Sequence, residues 1–178
     1  MSELSCLYLS KLWIWKGKIE MGEFSHFNAS GDAIMVDVSG KSETQREALA
    51  TGNIYMSREC YQKIQKRDMS KGDVLGVARI AGIMATKQTS HLIPLCHNIN
   101  LTKAEIEFVM NDVTSSITVH CRVKCQGKTG VEMEALTGVH VALLTIYDMC
   151  KAVDKRMHME EIHLCQKKGG KSGDFTYA

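Results

Sequence analysis

The sequence predicts an α+β fold, a twisted and mostly antiparallel sheet with helices packed on one face. Three observations lead there. Ala104–Met110 and Ile117–Cys125 alternate apolar and polar residues around an Asn111-Asp112 turn, the pattern of a hairpin with one wet face. From Val131 to Val153, apolar residues recur at three- and four-residue steps through Ala135, Val139, Ala142, Leu143, Ile146 and Met149, the period of one long helix. Along the chain the patterns run strand, helix, helix, strand, strand, helix, strand.

At 178 residues the chain fits one domain with a good core. We assign that domain to residues 21–178. Residues 1–20 look like a separate extension, with both tryptophans, Trp13 and Trp15, and with Met21 as an alternative start. An arm packing on a neighbouring subunit is the other reading of this segment. A net charge of +2 argues against broad nucleic-acid binding but leaves room for local basic sites. Seven cysteines, an odd number without a CxxC, read as reduced thiols of a cytoplasmic protein. Cys121 and Cys125 face the same way on a strand but stand about 13 Å apart, too far to share a metal. No apolar run approaches a membrane span, and the first residues lack the order of a signal peptide.

Ser25–Asp32 reads as a loop and Ala33–Val38 as a first strand. Ser39–Glu47 is polar and reads as a mobile loop carrying Arg46, a residue type that phosphate sites recruit. Gly52–Met56 is a short strand. Ser57 can cap a helix running through Arg67, and Asp73 can cap a second one with the apolar stripe Val74, Val77, Ala78, Ala81, Met84 and Ala85. Its small residues Gly76, Ala78, Ala81 and Gly82 allow close approach to the long helix. Lys71 stands just before this helix, where free N–H groups and a cation together suit an anion.

His91–Asn98 reads HLIPLCHN. Pro94 blocks helix continuation, and Cys96 and His97 follow, so the stretch is either a packed loop or a proton-transfer site. The long helix has Thr129 as a candidate N-cap, Glu132 and Glu134 in its first turn, and Asp148 and Lys151 on one face of its last. Dipole complementation and a surface ion pair explain these charges as well as chemistry does. Ile162 and Leu164 mark a last strand. In the tail, KKGGKSGDF, Gly169, Gly170 and Gly173 with Lys167, Lys168 and Lys171 suit an anion or a flexible end about equally.

Taken together, LIPLCH, KTGVEMEALTGVHVALLTIYDMCKAVDK and GGKSGD, in this order and spacing, resemble the cyclic pyranopterin monophosphate synthases, the C proteins of molybdenum cofactor biosynthesis. The resemblance spans about residues 21–175. It implies a ferredoxin-like fold and a hexamer built as three dimers with active sites at dimer interfaces. It implies a phosphorus–oxygen lyase that converts 3′,8-cyclo-7,8-dihydroguanosine triphosphate to cyclic pyranopterin monophosphate and diphosphate.

The resemblance further implies Asp148, Lys151, Lys71 and His97 as catalytic residues. Leu95, Cys96, His97, Glu132, Met133, Glu134, Arg46, Lys167 and Lys171 match or flank substrate-contact positions. It implies no metal ligands and no resident cofactor; a divalent ion such as Mg with the triphosphate is the one addition the chemistry admits. One departure is Asn98, where the family usually has proline. The residue types suit the reaction, because several protons must move and a triphosphate must be neutralised. Glu134 and Asp148 would stand about 21 Å apart on one helix, so a second subunit is expected to complete the site. The rival readings are a non-catalytic nucleotide-binding protein on this fold, a metal protein using Cys96, His97 and Cys150, and a purely structural assembly protein.

Overall fold

The computed structural model describes residues 30–178, so the expectations for residues 1–20, and for the start of the first loop, lie outside the described residues. The elements are β1 (Thr44–Tyr55), α1 (Arg58–Gln65), α2 (Val74–Thr86), α3 (Thr89–Leu92), β2 (Leu101–Asn111), β3 (Ser116–Gly127), α4 (Glu132–Cys150), β4 (His158–Lys168) and β5 (Phe175–Thr176). The five strands pair antiparallel in the order β2-β3-β1-β4-β5. The first four therefore lie 4-1-3-2, with helices in the β1–β2 and β3–β4 connections, which is the ferredoxin-like arrangement.

Period-two alternation assigns the two faces of the sheet. Ala48, Ala50 and Ile54 of β1 are buried opposite Val123, Cys121 and Ile117 of β3. This face carries α4. A Cβ on Gly52 would stand 2.8 Å from Ile162 Cγ1 and 2.9 Å from Val139 Cγ1, so only glycine lets helix and strand approach this closely. On the other face Glu47 sits between Arg122 and Lys124, and Lys124, then Arg122, holds its carboxyl below the usual range.

The helices pack through small residues. A Cβ on Gly82 of α2 would lie 2.9 Å from the Gly138 carbonyl of α4, and one on Gly138 would lie 2.6 Å from Cys121 Sγ. Lys71, before α2, meets Asp148 at the end of α4, so the two helices run antiparallel. Backbone cannot yield as a flexible side chain can. Gly82→Ala is therefore expected to cost about 1–3 kcal/mol in urea unfolding, although alanine is the better helix former. Beyond α4, Asp154 accepts from the Ser57 N–H at 2.7 Å and the Arg156 N–H at 2.8 Å, which ties the start of α1 to the end of α4.

Several boundaries differ from expectation. Residues 33–38 form no strand ladder; only a single bridge forms, at Ala33, and Val36 gives its carbonyl to His97 instead. Thr44–Glu47 belong to β1, because Thr44 pairs with Gly127 and the ladder runs on from there. Thr129 does not cap α4; Val131 is its N-cap and supplies no side-chain bond. The helix also stops at Cys150, before Val153. The tail folds back as β5, where Phe175 pairs with Lys167.

Candidate active site

Glycines and lysines crowd the start of α4. The β3–α4 connection is Lys128-Thr129-Gly130-Val131. The Glu132 carboxylate folds back over Gly130, where a Cβ would collide with Oε2. Arg46, on the helix-side face of β1, aims its guanidinium at the Gly127 and Lys128 carbonyls, both at 3.4 Å. The tail passes directly over it. Gly170 has φ +92°, which favours glycine by backbone sterics, and Arg46 Nη1 lies directly against it. Lys167 reaches Ser172 Oγ at 2.7 Å and Glu132 Oε1 at 3.8 Å.

Two cavities meet here. One of about 210 Å³ is lined by Lys41, Arg46, Lys128, Lys167, Lys171 and Ser172. Five cations around one small space, with one carboxylate on its rim, make an anion site. The other, of about 260 Å³, is lined mainly by Val36, Leu95, Cys96, His97, Met133 and Glu134. Lys41, Thr129, Gly130 and Glu132 border both. The result is one groove with a cationic half and a largely apolar half.

The apolar half holds unusual titratable groups. Glu134 is 4% exposed, and no ion pair is formed by its carboxylate with any described residue. Burial pushes its pKa up to about 7, and the nearby charge of Glu132 adds to the rise. Burial also raises the Cys96 thiol. His97 Nε2 lies 2.8 Å from the Val36 carbonyl. A carbonyl cannot donate, so Nε2 carries the proton and Nδ1 of the neutral ring is left as the acceptor.

Glu134 costs the fold stability when it ionises. Between its usual 4.5 and about 7, the folded state keeps a proton that the unfolded chain has lost. Stability is therefore fully present below the lower value and falls as pH rises through the upper. Glu134→Gln removes this penalty. Above about pH 7 it is expected to unfold later than wild type, by on the order of 2 kcal/mol after allowing for solvent in the cavity, and to match it below pH 4.5. Denaturant titrations at the two pH values check this.

The far end of α4 carries the second group. Asp148 Oδ1 pairs with Lys151 Nζ at 2.7 Å and Oδ2 with Lys71 Nζ at 3.2 Å, and Lys71 also donates to the Asp148 carbonyl at 3.0 Å. Lys151, then Lys71, holds the Asp148 carboxyl below its usual value, and Asp148 in turn raises Lys151. All three side chains are exposed.

The residues singled out in the sequence thus gather at two ends of one helix. Glu132, Met133, Glu134, Leu95, Cys96, His97, Arg46, Lys167 and Lys171 meet at the first, and Asp148, Lys151 and Lys71 at the second. Lys41 and Lys128 were missed; their only sequence signal is a lysine beside glycine at either flank of the site. A further cavity, of about 620 Å³, lies beyond Arg46, between Lys124 and Lys168, and shares only Arg46 with the predicted set. Among the described residues, no group of three or more His, Cys, Asp or Glu is arranged to hold a metal. Cys150 ends α4, at the opposite pole from Cys96 and His97, so the Cys/His metal reading lacks its geometry. Nor is any described helix long and apolar enough to cross a membrane.

The family model of the MoaC family matches residues 35–170. Cyclic pyranopterin monophosphate synthases are similar over nearly their whole length. That of Clostridium perfringens is 54% identical over 155 residues, covering 87% of this chain and 98% of its own. That of Clostridium botulinum is 55% identical over 153 residues, covering 86% and 96%. That of a Thermoanaerobacter species is 56% identical over 149 residues, covering 84% and 94%.

Proposed function

Because the chain belongs to the MoaC family, we propose that it is a cyclic pyranopterin monophosphate synthase of molybdenum cofactor biosynthesis, a phosphorus–oxygen lyase acting in the cytoplasm. Its substrate is 3′,8-cyclo-7,8-dihydroguanosine triphosphate. A sugar oxygen attacks the α-phosphorus, the bond from that phosphorus to the β-phosphate oxygen breaks, and diphosphate leaves. The purine five-membered ring opens and is rebuilt as a pterin. The observation that carries this reading is the two-part groove at the start of α4, cationic enough for a triphosphate on one side and apolar enough for a ring on the other.

Lys41, Arg46, Lys128, Lys167 and Lys171 bind the phosphates and stabilise the departing diphosphate. His97 takes a proton through Nδ1. Asp148, Lys151 and Lys71 form the acid/base group at the other pole, where the two lysines hold Asp148 ionised and Asp148 raises Lys151. No resident cofactor is needed, and any divalent ion such as Mg arrives with the triphosphate.

The two poles belong to one site only if two subunits share it. Glu134 and Asp148 are fourteen residues apart on one helix, about 21 Å. The solvent side of the helix layer supports such sharing. Val77, Ile80 and Met84 of α2, with Leu144 and Met133 of α4, leave an exposed apolar face, Ile80 at 66% and Leu144 at 56%. On α4 that stripe ends at Met133 on one side and Asp148 on the other. A two-fold axis through it lays a partner's α4 antiparallel and brings the partner's Asp148 pole over this chain's Met133 pole. We propose a dimer of this kind as the unit of a hexamer.

Purified protein added to 3′,8-cyclo-7,8-dihydroguanosine triphosphate is expected to release diphosphate and to yield a product that fluoresces as a pterin after oxidation. Binding without either signal would favour the non-catalytic nucleotide-binding reading instead.

A further inference from the structure

One short segment serves both halves of the groove. Val36 and Val38 line the apolar cavity, and Lys41 borders both cavities. Asp37 and Ser39 alternate with them, are exposed, and line neither. Two backbone carbonyls tie this strap down, one in each half. That of Val36 accepts from His97 Nε2 at 2.8 Å, in the loop after Pro94. That of Ser39 accepts from Lys128 Nζ at 2.9 Å, in the β3–α4 connection. Residues 36–41 thus join two segments that lie about thirty residues apart in the chain.

The sheet does not shape this strap, since a single bridge at Ala33 is its one ladder contact. A turn does. Asp37 Oδ1 accepts the Ser39 N–H at 2.8 Å, which is the Asx turn that aspartate makes with the backbone two residues on. The Lys41 N–H then donates to the Val38 carbonyl at 3.0 Å. Ser39, and after it the charge of Lys128, holds the Asp37 carboxyl below its usual value. We infer that Asp37 is a positioning residue of this site. By closing the turn on Ser39 it holds residues 36–41 in the shape that sets the Val36 carbonyl on His97 and presents Lys41 and Lys128 to the phosphates.

This inference rests on the proposed synthase site and deepens it with a residue that touches no substrate. The sign of its effect separates it from a purely electrostatic one. A negative charge beside Lys128 opposes anion binding by Coulomb's law. If charge were all that Asp37 contributes, its removal would tighten binding of a polyphosphate. If the turn is what matters, losing the turn loosens binding. Asparagine and alanine divide the two effects. Asparagine keeps the Oδ1 acceptor for the Ser39 N–H and drops the charge, whereas alanine drops both.

The test measures binding of inorganic triphosphate by calorimetry in wild type, Asp37→Ala and Asp37→Asn, beside melting curves. Asp37→Ala is expected to bind about tenfold more weakly than wild type, the worth of one hydrogen bond to a charged group. Asp37→Asn is expected to bind at least as tightly as wild type. In ¹⁵N-edited NMR the His97 Nε2 proton should be visible in wild type and Asp37→Asn, where the Val36 carbonyl slows its exchange with water, and lost in Asp37→Ala. Turnover of the cyclic nucleotide, as kcat/KM, should fall about 10²-fold in Asp37→Ala, because both phosphate and base are misplaced, and recover in Asp37→Asn. Melting should not move, since the Asp37 side chain is exposed. Asp37→Ala binding as tightly as wild type or tighter would overturn the assignment. So would Asp37→Asn binding as weakly as Asp37→Ala, a wild type that ignores inorganic triphosphate, or a matching drop in melting temperature. A wild type that binds triphosphate but turns over no nucleotide sinks the synthase reading alone, and the binding and NMR comparisons still decide the role of Asp37.

Discussion

Asp148→Asn is expected to lower kcat by about 10²–10⁴-fold while thermal unfolding stays where it is. The side chain is exposed and its two ion pairs lie in solvent, so they contribute little to folding. Asparagine keeps the size and one acceptor but cannot carry or pass a proton. What changes is the chemistry: Lys151 loses the carboxylate that raises its pKa, and Lys71 loses one of its two acceptors on Asp148. A steady-state assay of diphosphate release, beside a melting curve, separates the two effects. Near-normal turnover would return Asp148 and Lys151 to the surface-pair reading that α4 alone also allows. A matching drop in melting temperature would make the pair structural.

Mixing two inactive variants is expected to restore about a quarter of wild-type activity. The pair is Asp148→Asn, which damages one pole of α4, and Arg46→Ala, which damages the other. If each site takes one pole from each subunit, a mixed dimer has one site with both defects and one with neither. Random exchange makes about half the dimers mixed, hence the quarter. Arg46→Ala alone should be close to inactive, because the guanidinium both holds the Gly127 and Lys128 carbonyls and supplies charge to the cationic cavity. The measurement is activity after the two proteins are mixed under conditions that exchange subunits. A mixture no more active than the sum of its parts would place both poles in one subunit's site, against the 21 Å span of the helix.

Much of the fold was legible in the residues because its signals are local. The three- and four-residue period of α4, the Ser57 and Asp73 caps, and the alternation of β2 and β3 each depend on neighbours a few residues away. Each was placed to within a few residues. The misreadings fall where pairing is remote. Residues 44–47 look like loop by composition, yet they are strand because Gly127 and Cys125 lie opposite them. Residues 33–38 look like strand, yet no ladder forms and the Val36 carbonyl is taken by a histidine sixty-one residues on. The Gly-rich tail reads equally as an anion loop or a flexible end, and β5 at its close pairs it to β4.

The candidate residues were likewise named from motifs, but their grouping was not in the motifs. Residue type and spacing in LCH, EME and YDMCK identify chemistry, and the helix rise alone shows that Glu134 and Asp148 stand apart. Lys41 and Lys128, the burial of Glu134 and the proton position on His97 come from contacts between distant segments. Antiparallel α2 and α4 bring Lys71 to Asp148, and the sheet order brings Arg46 under Gly170. Short-range periodicity encodes what each segment is, since side chains three or four apart meet on any helix. Which segments meet, and how dry their meeting place is, depends on packing of the whole chain, and the charges of the site take their character from that packing.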